Sequence, residues 1–236
     1  MGRAFEYRKN RKFKRWGQMA ITFTKIGREI SMAVKAGGPD PDANPRLRIA
    51  IQNSKIANMP KANVEAAIKR ASSKDEKDYE EITYEGYAPN GVALVVDCAT
   101  DNTTRTVANI RMYFSKMNGT MGTQGSVAYM FKKLATFKFR KENHNLEELE
   151  FELIDAGLSE FQVEDDVVIA YSEFHDFGKL SKALEEKKIE LLESSYEKIP
   201  DFYKEGLTDN QAESVIKLIE MLEEDEDVQH VFHNMK

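Results

Sequence analysis

The sequence predicts an α+β protein: an N-terminal three-helix domain followed by two α/β domains, the last ferredoxin-like and inserted in the second. Three observations carry this prediction. The apolar period changes from helical steps of three and four to strand alternation near residue 79. A β-α-β-β-α-β order fills residues 136–200, the split pattern of a ferredoxin-like domain. A lone helix and strand then follow Pro200, and they need a sheet begun earlier in the chain. The expected boundaries are 1–77 for the helical domain, 78–134 plus 203–236 for the discontinuous α/β domain, and 135–202 for the insertion. At 236 residues and 41% hydrophobic content, the chain is long and apolar enough for such cores.

The helical domain is read from three amphipathic stripes. Met19, Phe23, Ile26, Ile30, Ala33 and Val34 form the first, ended by Gly37-Gly38-Pro39. Asn44 caps the second, Pro45 opens it, and Leu47, Ala50, Ile51 and Ser54 share its inner face. Pro60 opens the third, with Val64, Ala67, Ile68 and Ala71. The first connection, GGPDPDANP, is too long and proline-rich for a helix-turn-helix.

SSKDEKD (72–78) reads as a linker. Beyond it, two strands flank the turn APNG, and DNTTRTVANIRMYFSKMNG gives a helix with Val107, Ile110, Phe114 and Met117 on one face. GSVAYMF (125–131) reads as a further strand. The insertion follows as ATFKFR (strand), NLEELEFELIDAG (helix), FQVEDD and VVIAYS (strands), FHDFGKLSKALEEKK (helix) and IELLESSYEKI (strand). Thr208 and Gln211 have capping-box spacing for a last helix, and VQHVF alternates as a half-buried strand. That strand is expected to pair with residues 92–98 or 126–131.

Charge is segregated along the chain. Residues 1–70 hold 16 basic and 5 acidic side chains, net +11, whereas the remainder is net −17. Residues 7–16, YRKNRKFKRW, carry six basic and three aromatic side chains and no acid. Such a segment on an otherwise acidic chain points to a polyanion partner. The arm residues Arg3, Arg8, Lys9, Arg11, Lys12, Lys14 and Arg15 are candidates to neutralise phosphates, with Trp16 to stack on a base or ribose. Lys25 and Arg28 lie off the apolar stripe of the first helix and join them. Arg105 sits in the first turn of the DNTTRT helix, where the helix dipole disfavours a cation. It is read with equal weight as a phosphate grip or as a salt-bridge partner of Asp101. The insertion, with 9 basic and 18 acidic residues between Ala135 and Lys204, should face solvent or a protein instead.

No enzyme motif emerges. His144, His175, His230 and His233 are scattered, and the last two fall on opposite faces of a strand. No metal-ligand spacing, P-loop or nucleophile elbow is present, so no cofactor is expected. GTMGTQG (119–125) lacks a P-loop ending and reads as a tight connection, and EEDED (223–227) as a solvated helix end. The single cysteine, Cys98, lies in an apolar run and reads as a small buried hydrophobe, consistent with a reducing cytoplasm. No stretch has the length of a membrane span.

The blocks FTKIGREI, AGGPDPDANPRLRIAI, NMPKANVEAAIKRA, YEGYAPNGVALVVDCATDNTTRTV, FSKMNGTMGTQGSVAYMF and DVQHVFHN resemble the YebC/PmpR family, in the expected order from about Phe23 to Asn234. The resemblance implies three domains with the third inserted in the second. It also implies a non-enzymatic regulator: bacterial members are described as transcriptional regulators that bind DNA, and other members as ribosome-associated translation factors. The start differs from the family's GHSKW-like stretch and keeps only Lys14-Arg15-Trp16 of its basic-plus-Trp character. The expected partner is therefore nucleic acid, either promoter DNA or ribosomal RNA on the ribosome, bound by a cytoplasmic monomer without a membrane. A protein-interaction adaptor built on the acidic insertion is the rival reading.

Overall fold

The structure, a computed structural model, describes residues 3–73, 78–141 and 145–236, with side chains from Gly17 onward. His144 lies outside the described residues.

Helix α1 (Arg3–Gly37) takes in the basic arm, whose backbone continues the helix rather than preceding it. Lysine and arginine are good helix formers, and no proline interrupts them. Helices α2 (Pro45–Ile56) and α3 (Lys61–Ala71) both pack on α1, around Ile26, Ile30, Ala33, Val34, Leu47, Ala50, Val64 and Ala67. The junction of α1 and α2 turns on one side chain. Asn44 accepts from the Leu47 N–H at 3.1 Å as the cap, and its Nδ2 donates to the carbonyls of Ala33 at 2.7 Å and Gly38 at 2.8 Å. Gly38, at φ +87°, allows the chain to leave α1 in the left-handed region.

The first sheet comprises β1 (Glu80–Tyr87), β2 (Ala93–Thr100), β3 (Thr120–Met121) and β8 (Val228–His233), in the order β3-β1-β2-β8. All its pairs are antiparallel. The C-terminal strand lies beside β2, with Leu94 opposite His233 and Val96 opposite Val231, as the first of the two expected pairings requires. Helices α4 (Thr103–Lys116) and α7 (Asp209–Glu223) cover Leu94, Val96 and Cys98 with Ile110, Phe114, Val215, Leu218 and Leu222. Every residue of β2 is buried.

The inserted sheet is β4 (Phe131–Arg140), β5 (Leu158–Glu164), β6 (Val167–Glu173) and β7 (Leu191–Pro200), in the antiparallel order β5-β6-β4-β7. With α5 (Leu146–Ile154) and α6 (Phe177–Glu186) this is the ferredoxin-like arrangement. Phe137, Phe139, Leu153, Leu180 and Leu184 fill its core. The chain divides into two compact units, Met1–Ala128 with Tyr203–Lys236, and Tyr129–Phe202.

Residues 125–131 do not form the expected strand. A 3-10 turn occupies Ala128–Met130, and the strand that follows belongs wholly to the inserted sheet. The cause is Glu85, buried on β1, whose carboxylate accepts from the N–H groups of Gly125 (2.6 Å), Val127 (2.7 Å) and Ala128 (2.8 Å). Donors that would build a ladder are thereby turned onto a carboxylate.

Candidate nucleic-acid interface

Eight of the eleven residues singled out in the sequence lie on the arm. The side chains of Arg3, Arg8, Lys9, Arg11, Lys12, Lys14, Arg15 and Trp16 are outside those described, while their backbone belongs to α1. The other three, Lys25, Arg28 and Arg105, come together at the turn between α7 and β8.

Asp227 is the centre of that cluster, with its side chain 3% exposed. Arg28 Nη1 donates to its Oδ1 at 2.8 Å, and Arg105 Nη2 donates to Oδ2 at 2.8 Å. The Thr106 hydroxyl adds a third donor at 2.8 Å. Arg28 Nη1 also reaches the carbonyls of Ala99, at 3.0 Å, and Glu226. Lys25 Nζ donates to the Glu223 carbonyl at 2.8 Å. Burial opposes the Asp227 charge, but hydrogen bonds from Arg105 and Thr106 with the two guanidinium charges outweigh it and hold the carboxyl below its ordinary range. Burial pulls the Lys25 ammonium below its usual value despite nearby Glu223 and Asp225.

This arrangement bears on two expectations from the sequence. Residues 223–227 are only in part the solvated acidic end expected: Glu223, Glu224 and Glu226 are exposed, but Asp227 is buried, and Asp225 accepts from Asn109 Nδ2 at 3.1 Å and Tyr113 Oη at 3.0 Å. That hydrogen bond adds to burial in raising the Tyr113 phenol to about 12. Lys25 and Arg28, placed in the sequence among the phosphate contacts, direct donors into their own chain, because a buried carboxylate and helix-end carbonyls lie within reach. Arg105 makes the salt bridge to Asp101, at 3.0 Å, and a second to Asp227. Its position against the helix dipole is thus accounted for internally. The role of Asp227 is not legible in the sequence because its partners Thr106, Arg105 and Arg28 lie 121, 122 and 199 residues away along the chain. The one local hint was Arg105 itself.

The glycine-rich loop is likewise occupied. The N–H of its last glycine, Gly125, and those of Val127 and Ala128 just beyond it hold the Glu85 carboxylate, which fills the place an anion would take. Cys98 is buried, and burial pushes its thiol far up, away from nucleophilic character. Among the described residues, no group of His, Cys, Asp and Glu is placed to hold a metal ion, and no helix is long and apolar enough to cross a membrane.

Outward-facing cations remain on α2 and α3. Lys55, Lys61, Lys69 and Arg70 are exposed, and Arg46 is paired with Glu81. Between α1 and α3 runs a groove of about 330 Å³, lined by Phe23, Gly27, Arg28, Met59, Asn63 and Arg70 among others. Tyr79 borders it and lies 5.4 Å from the Arg28 guanidinium, face to cation.

Comparison with known proteins places this architecture. Proteins of Flavobacterium johnsoniae and Parabacteroides distasonis are 57% and 56% identical over 100% of this chain, covering 99% and 97% of their own lengths. Each is described as a probable transcriptional regulatory protein. The crystal structure of a conserved hypothetical protein from Aquifex aeolicus is 36% identical and superimposes with a TM-score of 0.82, covering 93% of this chain and 90% of that one. Residues 3–74 match the TACO1/YebC protein N-terminal domain, and residues 79–235 match the TACO1/YebC second and third domain. With both domain families matched in order along nearly its whole length, the chain belongs to the TACO1/YebC family.

Proposed function

We propose that this protein is a non-enzymatic regulator of gene expression that binds nucleic acid through its N-terminal helical module. The observation that carries the reading is charge segregation: a net of +11 over residues 1–70 against −17 over the rest. Clustered cations on one module attract phosphates, and the acidic remainder keeps polyanions off its own surface. The exposed Lys55, Lys69 and Arg70 extend the basic character of the arm onto the folded module.

The description of its relatives as transcriptional regulators favours DNA as the target. A second reading, a translation factor on structured RNA, is favoured by the packing: α2 and α3 lie mainly on α1, without the paired arrangement that presents a recognition helix to a major groove. On either reading it works as a cytoplasmic monomer.

Crosslinking in living cells, followed by sequencing of both the DNA and the RNA recovered with the protein, separates the two. Promoter enrichment over ribosomal RNA supports the transcriptional reading, and discrete ribosomal RNA positions support the other. In vitro, affinity should fall steeply between low and moderate salt as counterions are released. Affinity that ignores salt would overturn phosphate binding by this module.

A further inference from the structure

We infer that the groove between α1 and α3 is a receptor for one unstacked base of single-stranded nucleic acid. This rests on the proposed nucleic-acid binding and names where on the module a base would be read.

Three features of the groove point to a flat, polar-edged, aromatic ligand. Phe23 and Tyr79, both half-buried, line it and offer ring faces for stacking. Arg28, 9% exposed, also lines it, and its Nε is buried without an acceptor, although Nη1 is fully engaged at the Asp227 cluster. A buried, unsatisfied donor is costly, so an incoming acceptor atom gains more here than at the surface. A ring carbonyl or ring nitrogen of a base supplies such an acceptor. The exposed Asn63 amide can donate to and accept from a base edge.

Charge decides between a base in a strand and a neutral aromatic compound. Arg70 lines the groove and Lys69 precedes it on the exposed end of α3, so phosphates on either side of the seated base meet cations. The neighbouring hollow of about 400 Å³ shares Arg28 and Tyr79, and its four carboxylates, Asp101, Asp225, Glu226 and Asp227, outnumber its two cations, Arg28 and Arg105. Those carboxylates repel a phosphate, so the strand is directed along α3 and away from the Asp227 cluster.

Gly27 supplies the test. It lies on the groove wall, and a Cβ built there meets nothing within 4 Å. Gly27→Leu therefore fills the groove while improving the helix propensity of α1. Binding of the full chain would be measured against a single-stranded oligouridylate and a blunt RNA duplex. For the variant we expect roughly tenfold weaker binding of the single strand, the scale of one lost base stack. Duplex binding and the salt slope should not change, because no phosphate contact is removed. Equal single-strand affinity in variant and native protein would overturn the groove and leave phosphate binding standing. An equal loss on both probes would also overturn it, since the effect would not be base-specific. Failure of the native protein to bind either probe would overturn the groove and the RNA reading of the proposed function, and would leave DNA binding to the crosslinking experiment above. Photocrosslinking of the unmodified chain to a 4-thiouridine strand is the independent check. Adducts on the peptides holding Phe23 or Tyr79 support the site, and their absence from both overturns it.

Discussion

Asp227 draws two guanidinium groups and a hydroxyl to one buried carboxylate, and its energetics follow from that imbalance of donors. Removing its charge leaves Arg28 buried without its anion, so Asp227→Asn should cost roughly 3–5 kcal/mol, read from the midpoint of urea unfolding. The pH dependence has a definite sign. The folded carboxyl titrates below the ordinary value of 3.8, so its stabilisation is complete above that value and is lost as pH falls through the folded one. The acid limb of the stability curve should therefore be shallower in Asp227→Asn than in the native chain. Glu85 presents a different case, a buried carboxylate that accepts from three backbone N–H groups. Glu85→Gln keeps one acceptor but turns an NH₂ group toward donors. Hydrogen exchange at Gly125, Val127 and Ala128 should accelerate, with a stability loss of about 1–3 kcal/mol.

The elements differ in how plainly the sequence announces them. The α2 cap, the Thr208–Gln211 capping box and the β-α-β-β-α-β order are local patterns, and each appears where its residues indicate. Strand β3 has only two residues, and no period can announce it. It exists because Gly86 and Gly119 lack side chains: a Cβ on Gly86 would lie 2.6 Å from the Thr120 carbonyl oxygen, and one on Gly119 2.8 Å from that of Tyr87. The 3-10 turn at Ala128–Met130 looked like a strand because Val127, Ala128, Tyr129 and Met130 are β-compatible, and a distant carboxylate overrode that preference. Where one side chain joins two elements, its removal should be felt in both. Asn44→Ala deletes the α2 cap and both of its bonds to the end of α1, and should lower unfolding stability by about 1–2 kcal/mol.

For the molecule as a whole, domain order and charge segregation are legible in the sequence, as is the pairing of Arg105 with Asp101, whereas the inward commitment of Lys25 and Arg28 is not. Charge counts locate a cation along the chain but not the direction in which it points. The inserted unit enters and leaves through adjacent strands: the Asp201 N–H donates to the Met130 carbonyl at 2.8 Å, and Phe131 lies opposite Pro200. Such a narrow neck predicts that residues 129–202 fold alone with their own cooperative thermal transition. A chain in which a short glycine turn replaces 131–200 should retain the first sheet and the salt-dependent binding of nucleic acid. Loss of that binding would instead assign it to the acidic insertion.

The pairing of Arg28 with Asp227, 199 residues later, also has a consequence for synthesis. While the chain is being made, the first helix emerges early with a guanidinium whose counter-ion has not yet been translated. The fully buried strand β2 likewise waits for β8, one of the last segments to appear. A polypeptide truncated between the end of β2 and Asp227 keeps its basic arm but exposes an open hydrophobic strand and a cation without its anion. Such fragments should be cleared quickly by cellular proteases, so that only finished chains accumulate.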